Sequence, residues 1–144
     1  MGKKRIVKNA GGGVDSGLKA RALAKLPKRK LEKAALYIES TYNNTMVSIA
    51  DVGGNIIAWS SCGALGFKGA KKGTPFAAAK VGEIIGDKAK IAGIKSVSVV
   101  VKGVGAGRES ALRAFVAKGV SVSIIKDVTP VPHNGPKAPK PRRV

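Results

Sequence analysis

The sequence is poor in the side chains on which covalent catalysis and cross-linking depend. Among its 144 residues there is one cysteine, Cys62, and one histidine, His133. A single cysteine excludes an intramolecular disulfide and a cysteine-cluster metal site, and it fits a reducing cytoplasm. His133 lies in a distant proline-rich tail, so no base is evident for a catalytic thiol, and we interpret Cys62 as an inert small residue.

Acidic residues are also few. The sequence contains 8 Asp and Glu, and those between residues 34 and 125 show no spacing typical of a metal site or of a paired acid and base. We therefore expect no enzyme activity, no metal and no cofactor.

Long apolar runs are absent as well. No uninterrupted apolar stretch approaches the roughly 20 residues that cross a bilayer, and no apolar signal core follows the basic start. We expect a cytoplasmic chain that neither enters a membrane nor is exported.

Positive charge is abundant instead. Against the 8 acids stand 27 Lys and Arg, a formal net charge of +19, which is far more than solubility requires and predicts a polyanionic partner. The two ends are the most densely positive. Residues 1–33 have few large apolar side chains, and we predict a basic flexible extension that is disordered until it binds. Residues 127–144 are rich in proline and predict a basic, extended arm.

The middle of the chain, residues 34–126, predicts an RNA-binding α/β core. Short apolar runs separated by turn signals predict three strands in an antiparallel meander, and Thr74 and Pro75 predict the start of a helix that ends near residue 92. A strand, a second helix closed by Gly119 and a last strand follow. This order predicts a mixed sheet of about five strands with two crossover helices. Tyr37 and Trp59 fall in strand patterns, and we expect both in the core rather than on a base-stacking surface.

Two glycine-rich loops are candidate phosphate sites. Residues 63–75 combine glycines with Lys68, Lys71 and Lys72, a composition typical of RNA phosphate binding, although a solvated loop is the alternative. Phe67 in this loop is expected to pack rather than to stack on a base.

The second loop, residues 103–107, leads to Arg108 at a helix start, where free N–H groups attract anions. Its spacing fits neither nucleotide-binding glycine pattern. The alternative is a purely structural crossover whose glycines supply positive φ angles.

Five motifs, in one order, resemble a known family: Asn43–Thr45, Gly66–Gly69, Thr74–Ala78, Gly107–Ser110 and Asp127–Gly135. They are similar to those of the eleventh protein of the small ribosomal subunit, the universal S-eleven family, and the ending Pro-Arg-Arg-Val resembles its bacterial or organellar branch. Val104 and Ala106 depart from the family, which usually has proline at both positions.

The resemblance implies a ribonuclease-H-like motif without catalytic acids and a structural role on the platform of the small subunit. It implies binding of 16S rRNA near the mRNA exit path, beside proteins of the S-eighteen and S-twenty-one families. We expect mainly phosphate contacts, since the cations lie in loops and arms. The implied rRNA-binding residues are Asn43, Asn44, Lys68, Lys71, Lys72, Arg108, His133, Asn134, Lys137, Lys140, Arg142 and Arg143.

Two other functions fit the sequence less well. A general nucleic-acid-binding protein has the same charge, but the sequence shows no helix-turn-helix and no repeated basic helix. A nucleotide-dependent enzyme lacks both the motif and the acids. The dipeptide Asn134-Gly135 is interpreted either as a simple turn or as a site where asparagine converts to isoaspartate.

Overall fold

The computed structural model describes residues 16–24 and 30–142. Its helices and strands are α1 (Ser16–Ala24), β1 (Lys33–Ser40), β2 (Thr45–Ala50), β3 (Ile56–Ser61), α2 (Pro75–Ile91), β4 (Ser96–Lys102), α3 (Gly107–Val116) and β5 (Ser121–Asp127), with a 3₁₀ turn at Gly69–Gly73. The five strands form one sheet in the order β3-β2-β1-β4-β5. The predicted mixed α/β fold is confirmed.

The sheet combines an antiparallel and a parallel half. β2 pairs antiparallel with both β1 and β3, which confirms the meander, whereas β4 pairs parallel with β1 and with β5. The crossover from β3 to β4, which contains α2, and the crossover from β4 to β5, which contains α3, run in the same direction across the sheet. Right-handed connections therefore place α2 and α3 on the same face.

The core lies between that face and the two helices. β1 alternates strictly, so that Leu36 and Ile38 are buried toward the helices. Ile85 of α2 and Phe115 of α3 are fully buried in the same cluster. The apolar side chains that the sequence pattern places on one face of each element thus meet in one core.

The opposite face of the sheet, which we call the open face, is not covered by a helix in the described part of the chain. Tyr37 and Trp59 lie on it, with 41% and 56% of their surface exposed. The expectation that both are core residues is wrong. They occupy the alternate positions of β1 and β3, whose neighbours Leu36 and Ala58 take the buried side.

One helix was not predicted. α1 lies within residues 1–33, contacts α2, and places Leu18 against Gly66. Alanine, leucine, lysine and arginine favour helix, and this contact gives the segment a partner that local composition does not reveal. Residues 1–15 and 25–29 lie outside the described residues, so a flexible extension there stays a prediction.

The proposed boundaries of the core stay predictions too. β1 begins at Lys33 and β5 ends at Asp127, each one residue beyond the predicted core. Residues 128–142 contain neither helix nor strand.

Candidate nucleic-acid interface

Several connecting segments meet at the edge of the sheet where the parallel strands β1, β4 and β5 end. We call this region the loop edge. It consists of the β1–β2 turn (residues 41–44), the lysine loop (68–74), the glycine loop (103–107) with the start of α3, and the first residues of the tail (128–129). The carboxyl ends of parallel strands share one edge, which is why segments far apart in sequence come together here.

The β1–β2 turn is shaped by the Thr41 side chain. Thr41 Oγ1 accepts hydrogen bonds from the backbone N of Asn43 at 3.4 Å and of Asn44 at 3.2 Å. The Thr41 backbone N donates to Asn44 O at 2.8 Å. Asn43 is exposed, and the buried Oδ1 of Asn44 has no hydrogen-bond partner in the part of the chain that the structure describes.

The lysine loop ends directly at the start of α2. Thr74 Oγ1 accepts a hydrogen bond from Ala77 N at 3.3 Å, which confirms Thr74 as the N-cap, and Pro75 takes the first helical position. The same hydroxyl donates to Lys71 O at 2.7 Å and so fixes the lysine loop to the helix. The positive end of the helix dipole therefore lies beside the lysines.

The three lysines of this loop have no carboxylate partner in the part of the chain that the structure describes. Lys68 and Lys71 are exposed and Lys72 is half-buried. Their charges are thus free to attract an anion.

Phe67, just before these lysines, packs as predicted. It lies against the core cluster and meets Phe76 edge to face, with ring centroids 6.2 Å apart.

The glycines of this edge allow the segments to touch. A Cβ at Gly73 would meet the carbonyl oxygen of Tyr42. Gly105 N donates to Ser40 O at 2.9 Å, and a Cβ on Gly105 would lie 2.8 Å from the carbonyl carbon of Thr41. At Gly107 a Cβ would lie 2.6 Å from the Cβ of Ala78.

The expected reason for these glycines is therefore only partly right. Gly103 has a positive φ of 102°, but Gly105 and Gly107 do not, and they serve close approach between chain segments instead. The glycine loop is a packing contact as well as a candidate phosphate site.

Arg108 lies at the start of α3, as predicted, but it is not a freely exposed side chain. Only 31% of its side chain is exposed, because Nη1 donates to Gly103 O at 2.9 Å and Nη2 donates to Asp127 Oδ2. An arginine expected to bind rRNA is thus already partly engaged within the protein. The guanidinium joins the glycine loop to the end of β5.

Asp127 and Thr129 complete this network. Asp127 Oδ1 accepts hydrogen bonds from Thr129 N at 2.9 Å and from Thr129 Oγ1 at 2.6 Å. These bonds, and then the Arg108 side chain, lower the pKa of Asp127 to about 2. Neither residue carries a predicted role, although both lie in the family motif that begins at Asp127.

The tail starts at the loop edge. Val128 N donates to Val101 O at 2.9 Å, and beyond it His133, Lys137, Lys140 and Arg142 are all exposed. Arg143 lies outside the described residues.

A turn interrupts the tail at Asn134. Asn134 has a left-handed φ of 53°, and a Cβ on Gly135 would lie 2.9 Å from the Cβ of Pro132. The chain bends at Asn134, as both interpretations of this dipeptide require.

The described residues show few features of a catalytic or metal site. No group of three or more His, Cys, Asp or Glu side chains within residues 16–24 and 30–142 is placed to hold a metal ion. Cys62 is fully buried, and burial raises the pKa of its thiol. No helix in this part of the chain is long and apolar enough to cross a membrane.

The chain matches a family of known proteins. The family model described as Ribosomal protein S11 matches residues 34–143, which extend from β1 through the loop edge to the tail.

Proposed function

The chain belongs to the ribosomal protein S11 family, and on this premise we propose that its loop edge and tail bind 16S rRNA on the platform of the small subunit. Proteins of this family are structural rather than catalytic components of the small ribosomal subunit, associate with rRNA and serve translation. What is proposed is the surface that makes the contact and the chemistry that it uses.

The observation that carries the proposal is the grouping of unpaired cations at the loop edge. Lys68, Lys71 and Lys72 lie beside the positive end of α2, and the tail adds further cations from the same edge. Phosphate oxygens are the ligands that such a group of cations and helix N–H groups prefers. Because the cations lie in loops, the contacts fix position on the RNA rather than read bases.

The asparagines of the β1–β2 turn add a second kind of contact. A buried oxygen without a partner, as found for Asn44 Oδ1, is costly unless a donor reaches it. If the Asn44 side chain rotates toward solvent, a ribose 2′-hydroxyl can supply that donor, and the contact would distinguish RNA from DNA. We propose that Asn43 and Asn44 contact the sugar edge.

Arg108 is proposed to act in two ways. A guanidinium has five N–H donors, and the bonds to Gly103 and Asp127 leave others available for a phosphate. Its bond to Asp127 also holds the end of β5, from which the tail leaves. Arg108→Ala would therefore disturb the fold and the RNA contact together, so the lysines provide the cleaner test.

The neighbours and the compartment are also part of the proposal. We propose contacts with proteins of the S-eighteen and S-twenty-one families, a position near the mRNA exit path and a cytoplasmic ribosome. The support is the similarity of sequence motifs and the single buried cysteine.

We further propose that Asn134 is converted to isoaspartate in assembled subunits. Gly135 N attacks the side-chain carbonyl of Asn134, ammonia leaves, and water reopens the resulting succinimide mainly through the bond that leaves an isoaspartyl link. The left-handed turn at Asn134 and the missing Cβ of Gly135 make this asparagine accessible to such a step.

The test compares Lys71→Ala/Lys72→Ala with Lys90→Ala/Lys95→Ala, which removes the same charge from exposed lysines at the opposite edge of the sheet. Binding to a 16S rRNA platform fragment is measured over a range of salt, and circular dichroism checks the fold. A plot of the logarithm of the binding constant against the logarithm of the salt concentration has a negative slope. Lys71→Ala/Lys72→Ala should make this slope less negative by about 1.4, since each lost phosphate contact accounts for roughly 0.7. The control should keep the wild-type slope.

Equal slopes in the two variants would show that the loop edge is not the binding surface. Equal affinity for rRNA and for duplex DNA of the same length would favour a general nucleic-acid-binding protein instead.

A further inference from the structure

The open face carries a row of side chains that runs across all five strands. The strand register pairs Trp59 with Ser48, Ser48 with Tyr37, Tyr37 with Val100 and Val100 with Lys126. Tyr37 and Trp59 are two strands apart, which places their backbones roughly 10 Å apart at the ordinary strand spacing. Two exposed aromatic rings therefore stand on one flat surface with a small serine between them.

The position of Trp59 is held from the covered side of the sheet. Lys88 of α2 is buried, and its Nζ donates to the carbonyl oxygen of Trp59 at 3.3 Å. Ala58 and Ser60, on either side of Trp59, are buried as well. The edge strand is thus fixed while the ring itself faces solvent.

A cavity of about 410 Å³ opens beside Tyr37 on the same face. Its polar lining consists of Lys33, Tyr37 and three serines, Ser96, Ser98 and Ser123. Ser123 Oγ donates its proton to Val97 O at 3.0 Å. Its lone pairs can therefore still accept a hydrogen bond from a ligand. A nucleotide can use all three kinds of group: its base stacks on a ring face, its phosphate binds an ammonium group, and its sugar forms hydrogen bonds with hydroxyl groups.

The charge of the open face is positive. Lys33, Lys102 and Lys126 occupy outward positions, and Glu39 lies beside them with its Oε1 3.9 Å from Lys102 Nζ. Protein interfaces are depleted in lysine and serine at their centres, whereas single-stranded nucleic acids use aromatic rings together with cations. The charge therefore favours a polyanion over an apolar protein surface.

We propose that the open face is a second RNA-binding surface, which takes unpaired nucleotides by stacking their bases on Tyr37 and Trp59. This inference rests on the proposed function, since it assumes an RNA partner. Stacked bases are about 3.4 Å apart in a helix, so two rings about 10 Å apart suit splayed bases of a single strand and not a duplex. The cavity beside Tyr37 receives the sugar and phosphate of one such nucleotide.

Trp59 is the one tryptophan of the chain, so its fluorescence reports on this face alone. Titration with a ten-nucleotide oligouridine should quench the emission in a saturable way, and an RNA duplex of equal length should leave it unchanged. Tyr37→Ala should weaken binding of a labelled oligouridine, measured by anisotropy, roughly five- to hundredfold. Ile91→Ala, which truncates an exposed apolar residue on α2, should bind as wild type.

The outcome separates this inference from the proposed function. Suppose that Lys71→Ala/Lys72→Ala weakens rRNA binding, that oligouridine does not quench the Trp59 fluorescence, and that Tyr37→Ala binds oligouridine as tightly as wild type. The loop edge is then supported as a binding surface, and the inference about the open face is overturned. If Tyr37→Ala weakens RNA binding and Lys71→Ala/Lys72→Ala does not, the proposal for the loop edge is wrong and the inference about the open face is supported. Tyr37→Leu, which keeps an apolar side chain but has no ring to stack, should lose affinity like Tyr37→Ala, and wild-type affinity in this variant would also overturn the inference.

Discussion

Gly105→Ala should destabilise the protein because of contacts between chain segments, not because of backbone strain. The added Cβ would lie 2.8 Å from the carbonyl carbon of Thr41, and ordinary van der Waals contact begins at 3.4 Å. The glycine loop or the β1–β2 turn must therefore move by at least 0.6 Å. The 2.9 Å hydrogen bond from Gly105 N to Ser40 O lies in the path of that movement.

The expected cost follows from these two effects. Overpacking of a close contact costs about 1–3 kcal/mol, and a weakened hydrogen bond adds about 1 kcal/mol. We expect a loss of about 2–4 kcal/mol in the free energy of unfolding, measured by urea denaturation at constant m value.

A matched substitution serves as the control. Gly53→Ala adds a Cβ in an exposed turn, where the nearest heavy atom, Asn55 Nδ2, is 3.5 Å away. It should change stability by less than about 0.5 kcal/mol. If Gly105→Ala were as stable as Gly53→Ala, the close approach of the two loops would not be what requires glycine here.

Three further predictions concern the solution behaviour of the protein. With about eight phosphates neutralised, the log–log salt slope for rRNA binding should be near −6, and a slope flatter than about −2 would contradict binding through phosphates. The pKa of Asp127 lies at about 2, below its ordinary 3.8, so its carboxylate stabilises the fold above about pH 4 and this effect is lost toward pH 2. The Tm difference between wild type and Asp127→Asn should close over that interval, whereas a constant difference from pH 6 to 2 would refute the role of the carboxylate. Mass spectrometry that separates aspartyl from isoaspartyl peptides should find the isoaspartyl form at position 134 in assembled subunits, and intact asparagine would end that hypothesis.

Local signals in the sequence determined the five strands and the helices α2 and α3. Thr74 and Pro75 predict the start of α2 because an N-cap hydroxyl and a fixed φ act within one turn of helix. The alternation of valine and serine in β4 predicts a strand for the same local reason. The excess of lysine and arginine predicts an anionic partner without reference to any fold, because net charge is independent of conformation.

Tertiary structure decided which face and which neighbour each residue meets. Tyr37 alternates in β1 as a core residue would, but the common direction of both crossovers puts the helices on the other face. Gly105 needs to be glycine because Thr41, far away in sequence, comes to lie against it. Arg108 is held by Asp127 across 19 residues, and the helix α1 packs against α2. Each of these outcomes depends on a distance between segments remote in sequence, and such distances are set by strand order and by the handedness of connections, which local composition does not encode.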